Sequence, residues 1–242
     1  MKFFGATDVG RLRPNNEDAF ALLPELGAAI LADGMGGEKC GEVGSSLTVE
    51  TVSAYLRAPE NGLGLEEIAK EAIRAANAKV IETARHRREC DGMGSTVVLT
   101  MWRGPELLVA NVGDSRAYLL RHGKLRQLTY DQNFANELRV RLGFSEDRLR
   151  TMPNRNVLTM AVGIFEEVLV RSHAEQLQPG DRLLLCSDGL YVPVPDEEIA
   201  PVLSGPENIE EKVKKLIAMA NQAGGPDNIT AVILEYGEGN DG

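Results

Sequence analysis

The chain has 242 residues, enough for one large domain or two small ones, and its 43% apolar and 26% charged composition is that of a globular protein able to bury a core without metal or crosslink. A formal net charge of −10 and a pI near 4.9 argue against nucleic acid or an anionic membrane as the main partner, because both select a basic face. Three cysteines, Cys40, Cys90 and Cys186, are odd in number and form no CxxC pair, so neither a zinc site nor a disulfide framework is expected, and a reducing compartment fits best.

In chain order, residues 3–8 and 27–33 read as strands, with a short one near 18–22. The start reaches Asp8 too soon for a signal-peptide core, and no apolar run approaches the ~18 residues of a membrane span, so a cytoplasmic location is expected. Val43, Leu47, Val52 and Leu56 give helical spacing over 41–58; Ile68, Ala72, Ala76 and Val80 do so over 65–88. The middle is strand-rich, at 95–102, 106–112, 116–121 and 124–129, with a hairpin turn through His122-Gly123. A helix is expected over 131–142, an irregular excursion over 143–156, and strands at 166–174 and 181–186. Helices at 196–203 and 207–222 precede a last strand at 229–236. Strands in runs and helices in adjacent pairs do not alternate as βαβ units would, so the expected class is α+β, with antiparallel sheets packed on each other and helices outside. The expected organisation is a single catalytic domain over 1–236, with a fraying tail at 237–242.

The aspartates carry the chemical signal. Asp33 ends an apolar strand before Gly34-Met35-Gly36-Gly37, and Asp188 ends another before Gly189. Asp114 follows the strand 106–112, Asp227 sits in Gly225-Pro226-Asp227-Asn228 before the last strand, and Asp18 closes Asn15-Asn16-Glu17-Asp18 before an early one. Any one Asp-Gly usually marks only a turn. Carboxylates at strand ends beside accessible backbone carbonyls are also the oxygen donors that hard cations require.

Seven segments taken together resemble the metal-dependent serine/threonine protein phosphatases of the type 2C class (the PPM family) in their compact bacterial form. They are Thr7-Asp8-Val9-Gly10 through Arg13 to Asp18, Ala32 to Gly37, Gly92 to Thr96, Asn111 to Arg116, Arg155 to Thr159, Ser187 to Leu190, and Gly225 to Thr230. They follow the family's order over roughly residues 5–236. The resemblance implies a central sandwich of two antiparallel β-sheets flanked on each side by helices. It implies a hydrolase that removes phosphate from phosphoserine and phosphothreonine with a metal-activated water, opposing a cytoplasmic Ser/Thr kinase. Two divalent cations, Mn²⁺ or Mg²⁺, would be bridged by Asp33, with the Gly34 carbonyl on one and Asp188 and Asp227 on the other. Asp18 would act through metal-bound water, and Asp114 with Asp188 would hold a third, weaker metal. Arg13 would bind the substrate phosphate. The expected partners of a monomeric enzyme are phosphorylated proteins, its substrates, with no nucleic acid and no membrane.

The pattern departs from the family where Glu38 follows Gly37, where Gln132-Asn133 follows Asp131, and at Met152 and Met160. The three histidines, His86, His122 and His173, fall in no motif. Protonation of the leaving oxygen is therefore left to metal-bound water or to Glu38. The 143–156 excursion corresponds to the family's flap. Its Arg148, Arg150 and Arg155, with Arg139 and Arg141 before it, either steer a phosphopeptide or are solvated charges offset by Glu146 and Asp147. The rival reading of the whole chain is a catalytically weak phosphatase-fold module that binds a regulatory partner.

Overall fold

The computed structural model describes residues 1–36, 40–59, 62–145, 148–149 and 152–237, so Glu38, Glu146, Asp147, Arg150 and the tail from 238 lie outside the described residues. The elements of the first half are β1 (Lys2–Asp8), β2 (Asp18–Leu23), β3 (Ala28–Met35), α1 (Gly41–Arg57), α2 (Leu65–His86), β4 (Gly94–Ser95), β5 (Val97–Arg103) and β6 (Glu106–Val112). The second half adds β7 (Arg116–Arg121), β8 (Lys124–Gln127), α3 (Phe134–Leu142), β9 (Arg171–Gln176), β10 (Arg182–Cys186), α4 (Asp188–Tyr191), α5 (Asp196–Ser204), α6 (Ile209–Gln222) and β11 (Ile229–Glu235).

Two antiparallel sheets form, one in the order β1-β11-β10-β7-β8 and the other β2-β3-β5-β6-β9, with β4 paired to β3. Side-chain alternation decides how they stack. In β3, Ala29 and Leu31 pack between the sheets with Val98, Leu119, Leu185 and Val232, while Ala28, Ile30 and Ala32 face α1 and α2. In β10 and β11, Leu184, Cys186, Ala231 and Ile233 face α5 and α6 in the same way. Strands buried on both faces read as continuous apolar runs, which is why they were legible. The result is the expected helix–sheet–sheet–helix sandwich.

Three local expectations need correction. The strand expected at 166–174 begins only at Arg171, because the residues before it are tied to α2: Asn77 Nδ2 donates to the Phe165 and Glu166 carbonyls at 2.9 and 3.2 Å. The helix expected from 131 starts at Phe134, since Asn133 caps it by accepting from the Asn136 amide at 3.0 Å and Asp131 and Gln132 bond elsewhere. Cys40 and Cys90 form a disulfide, with 5.3 Å between their Cα atoms. They are 50 residues apart, and the pairing of α1 with α2 brings the residue before one helix beside the turn after the other. Cys186 is a buried free thiol, and no helix among the described residues is long and apolar enough to cross a membrane.

Candidate active site

Strand order gathers the acids at one end of the sandwich. Asp18 is the first residue of β2 and stands opposite Asp33 of β3 in register. Asp188 follows β10, Asp227 precedes β11, and Asp114 follows β6. A cavity of about 350 Å³ is lined by Arg13, Asp33, Gly34, Asp114, Asp188 and Asp227, with Asp18 behind Asp33 at 8% exposure. Seven residues named from the sequence therefore meet in one place; Glu38 is the exception, outside the described residues. A larger cavity, between Arg116, Asp131, Asn136, Arg155 and Tyr191, holds none of the expected ligands.

The backbone around Asp33 is held from the end of β4 and the residue after it, and from the β1–β2 connection. The Thr96 amide and the Ser95 hydroxyl donate to the Asp33 carbonyl at 2.8 and 2.9 Å, and the Asp33 amide donates to Thr96 Oγ1 at 3.0 Å. Gly34 donates to the Glu17 carbonyl at 3.0 Å, and a Cβ there would lie 2.0 Å from the Gly41 carbonyl oxygen, so no other residue fits. Asn228 ties the Arg13 loop to β11: its side chain donates to the Val9 and Asn15 carbonyls at 2.9 and 2.8 Å and accepts from the Glu17 amide at 2.8 Å.

Asp114 has its own support. Asn133 Nδ2 donates to its carboxylate at 3.0 Å, and Tyr191 donates to its carbonyl at 3.1 Å. Tyr191 in turn lies under the Arg116 guanidinium, 3.6 Å from its ring centroid, and Arg116 pairs with Asp131 at 2.7 Å. Gln132 accepts from the Gly113 amide at 2.8 Å and donates to the Leu169 carbonyl at 2.7 Å. The departure at 132–133 thus braces the turn that carries Asp114. Met160 packs against the core beside α1 and α2. The histidines stay away from the cavity: His86 ends α2, His122 sits in the hairpin turn and His173 lies on β9 near Glu175.

Electrostatics set the limits of this arrangement. Burial, then Asp18, Asp188, Asp114 and Asp227, raise the Asp33 carboxyl well above the usual carboxylate range. Burial and the same neighbours push Asp188 up to about 8, against the lowering effect of Arg13. Asp18 and Asp114 are raised to about 6, chiefly by burial. Two carboxylates ~4 Å apart repel by about 4 kcal/mol at an effective dielectric of 20, so this set needs protons or cations.

The donor set fits divalent cations in chemistry. It is all oxygen, and two buried carboxylate oxygens, Asp18 Oδ1 and Asp188 Oδ1, have no hydrogen-bond partner. The ligands are not pre-assembled, however: among the described residues no three acidic, His or Cys side chains stand as a ready-made metal cluster. One reason is visible, because Arg13 pairs with Asp227 at 2.7 Å and supplies the positive charge there. Sequence reasoning missed Glu17, Thr96 and Asn156, which also line the cavity. All three stood inside quoted motifs without being given a role; Thr96 and Asn156 are neutral, and only the packing brings them to the wall.

Comparison with known proteins gives a consistent answer. The family model described as "Protein phosphatase 2C" matches residues 13–232. The serine/threonine phosphatase Stp of Listeria welshimeri is 37% identical over 236 residues, covering 95% of this chain and 93% of that one. PstP of Mycobacterium tuberculosis is 36% identical over 97% of this chain, which spans 45% of that longer protein. A crystal structure of the M. tuberculosis phosphatase PstP/Ppp superposes with a TM-score of 0.89 at 35% identity, covering 98% of this chain and 99% of that one. The PstP catalytic domain in complex with two manganese ions matches at 34% identity with a TM-score of 0.84, over 96% of each chain.

Proposed function

The chain belongs to the protein phosphatase 2C family and is a protein-serine/threonine phosphatase, and from that premise we propose how its own residues carry the reaction. The observation that supports the reading is the meeting of Asp33, Asp114, Asp188 and Asp227 with Arg13 in a single cavity, with Asp18 paired opposite Asp33 behind its wall. Retention of all five favours catalysis over a regulatory binding module, since recognition alone gains nothing from mutually repelling acids.

Asp33, the Gly34 carbonyl, Asp188 and Asp227 would hold two divalent cations, with Asp18 acting through water and Asp114 with Asp188 holding a weaker third. Bound Mn²⁺ or Mg²⁺ supplies an activated water and countercharge for the phosphoryl oxygens. Arg13, paired here with Asp227, would bind and orient the phosphate with a two-pronged contact when freed from that pair. Thr96 and Ser95 keep the Asp33 backbone from yielding to the repulsion around it. The substrates are phosphoserine and phosphothreonine proteins made by an opposing kinase, met by a monomer in the cytoplasm without nucleic acid or membrane.

The test is hydrolysis of a phosphothreonine peptide with Mn²⁺, with Mg²⁺ and with chelator, alongside Asp33→Asn. Metal-dependent turnover that the variant loses by ~10³-fold or more is the expected result. No turnover of any phosphopeptide with either cation defeats the reading.

A further inference from the structure

The geometry points to Ser187 and Thr230 as positioning residues that aim Asp18 at the metal centre, an assignment that rests on the reading of this cavity as a cation site. Both hydroxyls donate to the same oxygen of Asp18: Ser187 Oγ lies 2.7 Å and Thr230 Oγ1 2.6 Å from Oδ2. The other oxygen, Oδ1, is buried and has no partner. The two oxygens of a free carboxylate are equivalent, and here the pair of hydroxyls breaks that equivalence. It engages one oxygen fully and leaves the other as the atom available to a cation or its water, in the strand pair that sets Asp18 opposite Asp33.

The proton inventory gives the arrangement a direction. Each hydroxyl has a single proton to donate. Ser187 Oγ accepts from the Thr230 amide at 3.0 Å, and its alternative acceptor, the Asn228 carbonyl, is 3.4 Å away, so its proton goes to Asp18. Thr230 lies 2.7 Å from Thr7 Oγ1 as well, and Thr7 Oγ1 accepts from Asn16 Nδ2 at 2.8 Å. If Thr230 gives its proton to Asp18, Thr7 donates to Thr230 and Asn16 to Thr7, and the chain closes with every hydroxyl donating once. The opposite direction would face a carboxylate oxygen with a hydroxyl lone pair at hydrogen-bond distance.

Ser187 and Thr230 are both fully buried, so water cannot replace either hydroxyl without rearrangement. Their places in the chain link them to the ligands: Ser187 immediately precedes Asp188, and Thr230 follows Asp227 by three residues. The ends of β10 and β11 therefore each carry one expected ligand and one hydroxyl that orients a third.

The experiment is a calorimetric titration of chelator-treated, desalted protein with MnCl₂, together with thermal unfolding of each variant in chelator. Partners that orient metal ligands are worth ~10–100-fold in metal affinity, so Ser187→Ala and Thr230→Val are each expected to weaken Mn²⁺ binding about 10-fold. Thr230→Ser, which keeps the hydroxyl, is expected to bind as the wild type does. A merely structural role would lower the Tm in chelator and leave the Mn²⁺ dissociation constant unchanged. Thr230→Val is near-isosteric and Ser187→Ala removes one atom, so the two act at separate positions as independent tests. Mn²⁺ affinity within twofold of wild type in both, or equal weakening by Thr230→Ser and Thr230→Val, overturns the assignment alone. A wild-type protein that binds no Mn²⁺ overturns both the assignment and the reading beneath it.

Discussion

Stripping the divalent cations should make this protein less stable as pH rises from 6 to 8, the reverse of ordinary acid denaturation. The Asp188 carboxyl is raised from 3.8 to about 8 by burial and by Asp114, Asp227 and Asp18, with Arg13 opposing. A group with a raised folded-state pKa keeps its proton in the folded state after the unfolded chain has lost it. Its contribution is therefore fully present below the unfolded pKa and is lost as pH climbs to the folded one. One retained proton costs about 1.4 kcal/mol per pH unit, and because half of it is gone by pH 8 the loss between pH 6 and 8 is ~2 kcal/mol. For a chain of this size that corresponds to a Tm lower by ~4–8 °C. Asp33 adds in the same direction, while Asp18 and Asp114, raised to about 6, contribute mainly below that pH. The assay is differential scanning calorimetry in chelator at pH 6, 7 and 8, for wild type and Asp188→Asn. The variant should show a shallower slope. In saturating Mn²⁺ the slope should flatten or reverse, because the ligands must shed their protons to bind. A chelated wild type whose Tm is flat or rising over this range, or an Asp188→Asn slope equal to wild type, would refute the electrostatic account.

Other perturbations separate the parts of the site. Arg13→Ala should raise KM for a phosphopeptide ~10–100-fold, as expected for a lost charge-assisted hydrogen bond, without weakening Mn²⁺ binding, because it also releases Asp227; steady-state kinetics with calorimetry checks both. Asp131→Asn breaks the ion pair with Arg116 and should cost ~3–5 kcal/mol in urea unfolding, since it leaves the largely buried guanidinium over Tyr191 without its counter-charge. Reduction of Cys40–Cys90, which closes a 50-residue separation, should lower stability by about 4 kcal/mol, measured by unfolding with and without dithiothreitol. Gly34→Ala should fail to reach the native fold or lose Mn²⁺ binding, because the Cβ would stand 2.0 Å from the Gly41 carbonyl oxygen; circular dichroism and titration distinguish these outcomes.

The sequence alone determined the strand runs, the helix pairs and the acids at strand ends, because these are local or periodic signals. Ala28–Ala32 and Leu183–Cys186 read as buried strands since both their faces meet apolar layers, and Asp33, Asp188 and Asp227 stood out beside glycines at the ends of such runs. What depended on residues far apart in the chain was decided only by tertiary structure. The Cys40–Cys90 bond needs α1 packed on α2, and the late start of β9 needs Asn77 of α2 to hold the carbonyls before it. Gln132 and Asn133 looked like departures from the family pattern, yet their side chains brace Asp114 from behind. Ser187 and Thr230 stood inside quoted motifs, yet nothing in the sequence told what their hydroxyls meet. Their contact with Asp18 spans 169 and 212 positions, and pairing of β10 with β11, at one end of the sandwich, brings them to it. Periodicity reports which face of an element is buried; it is silent on which distant polar atom that face will meet.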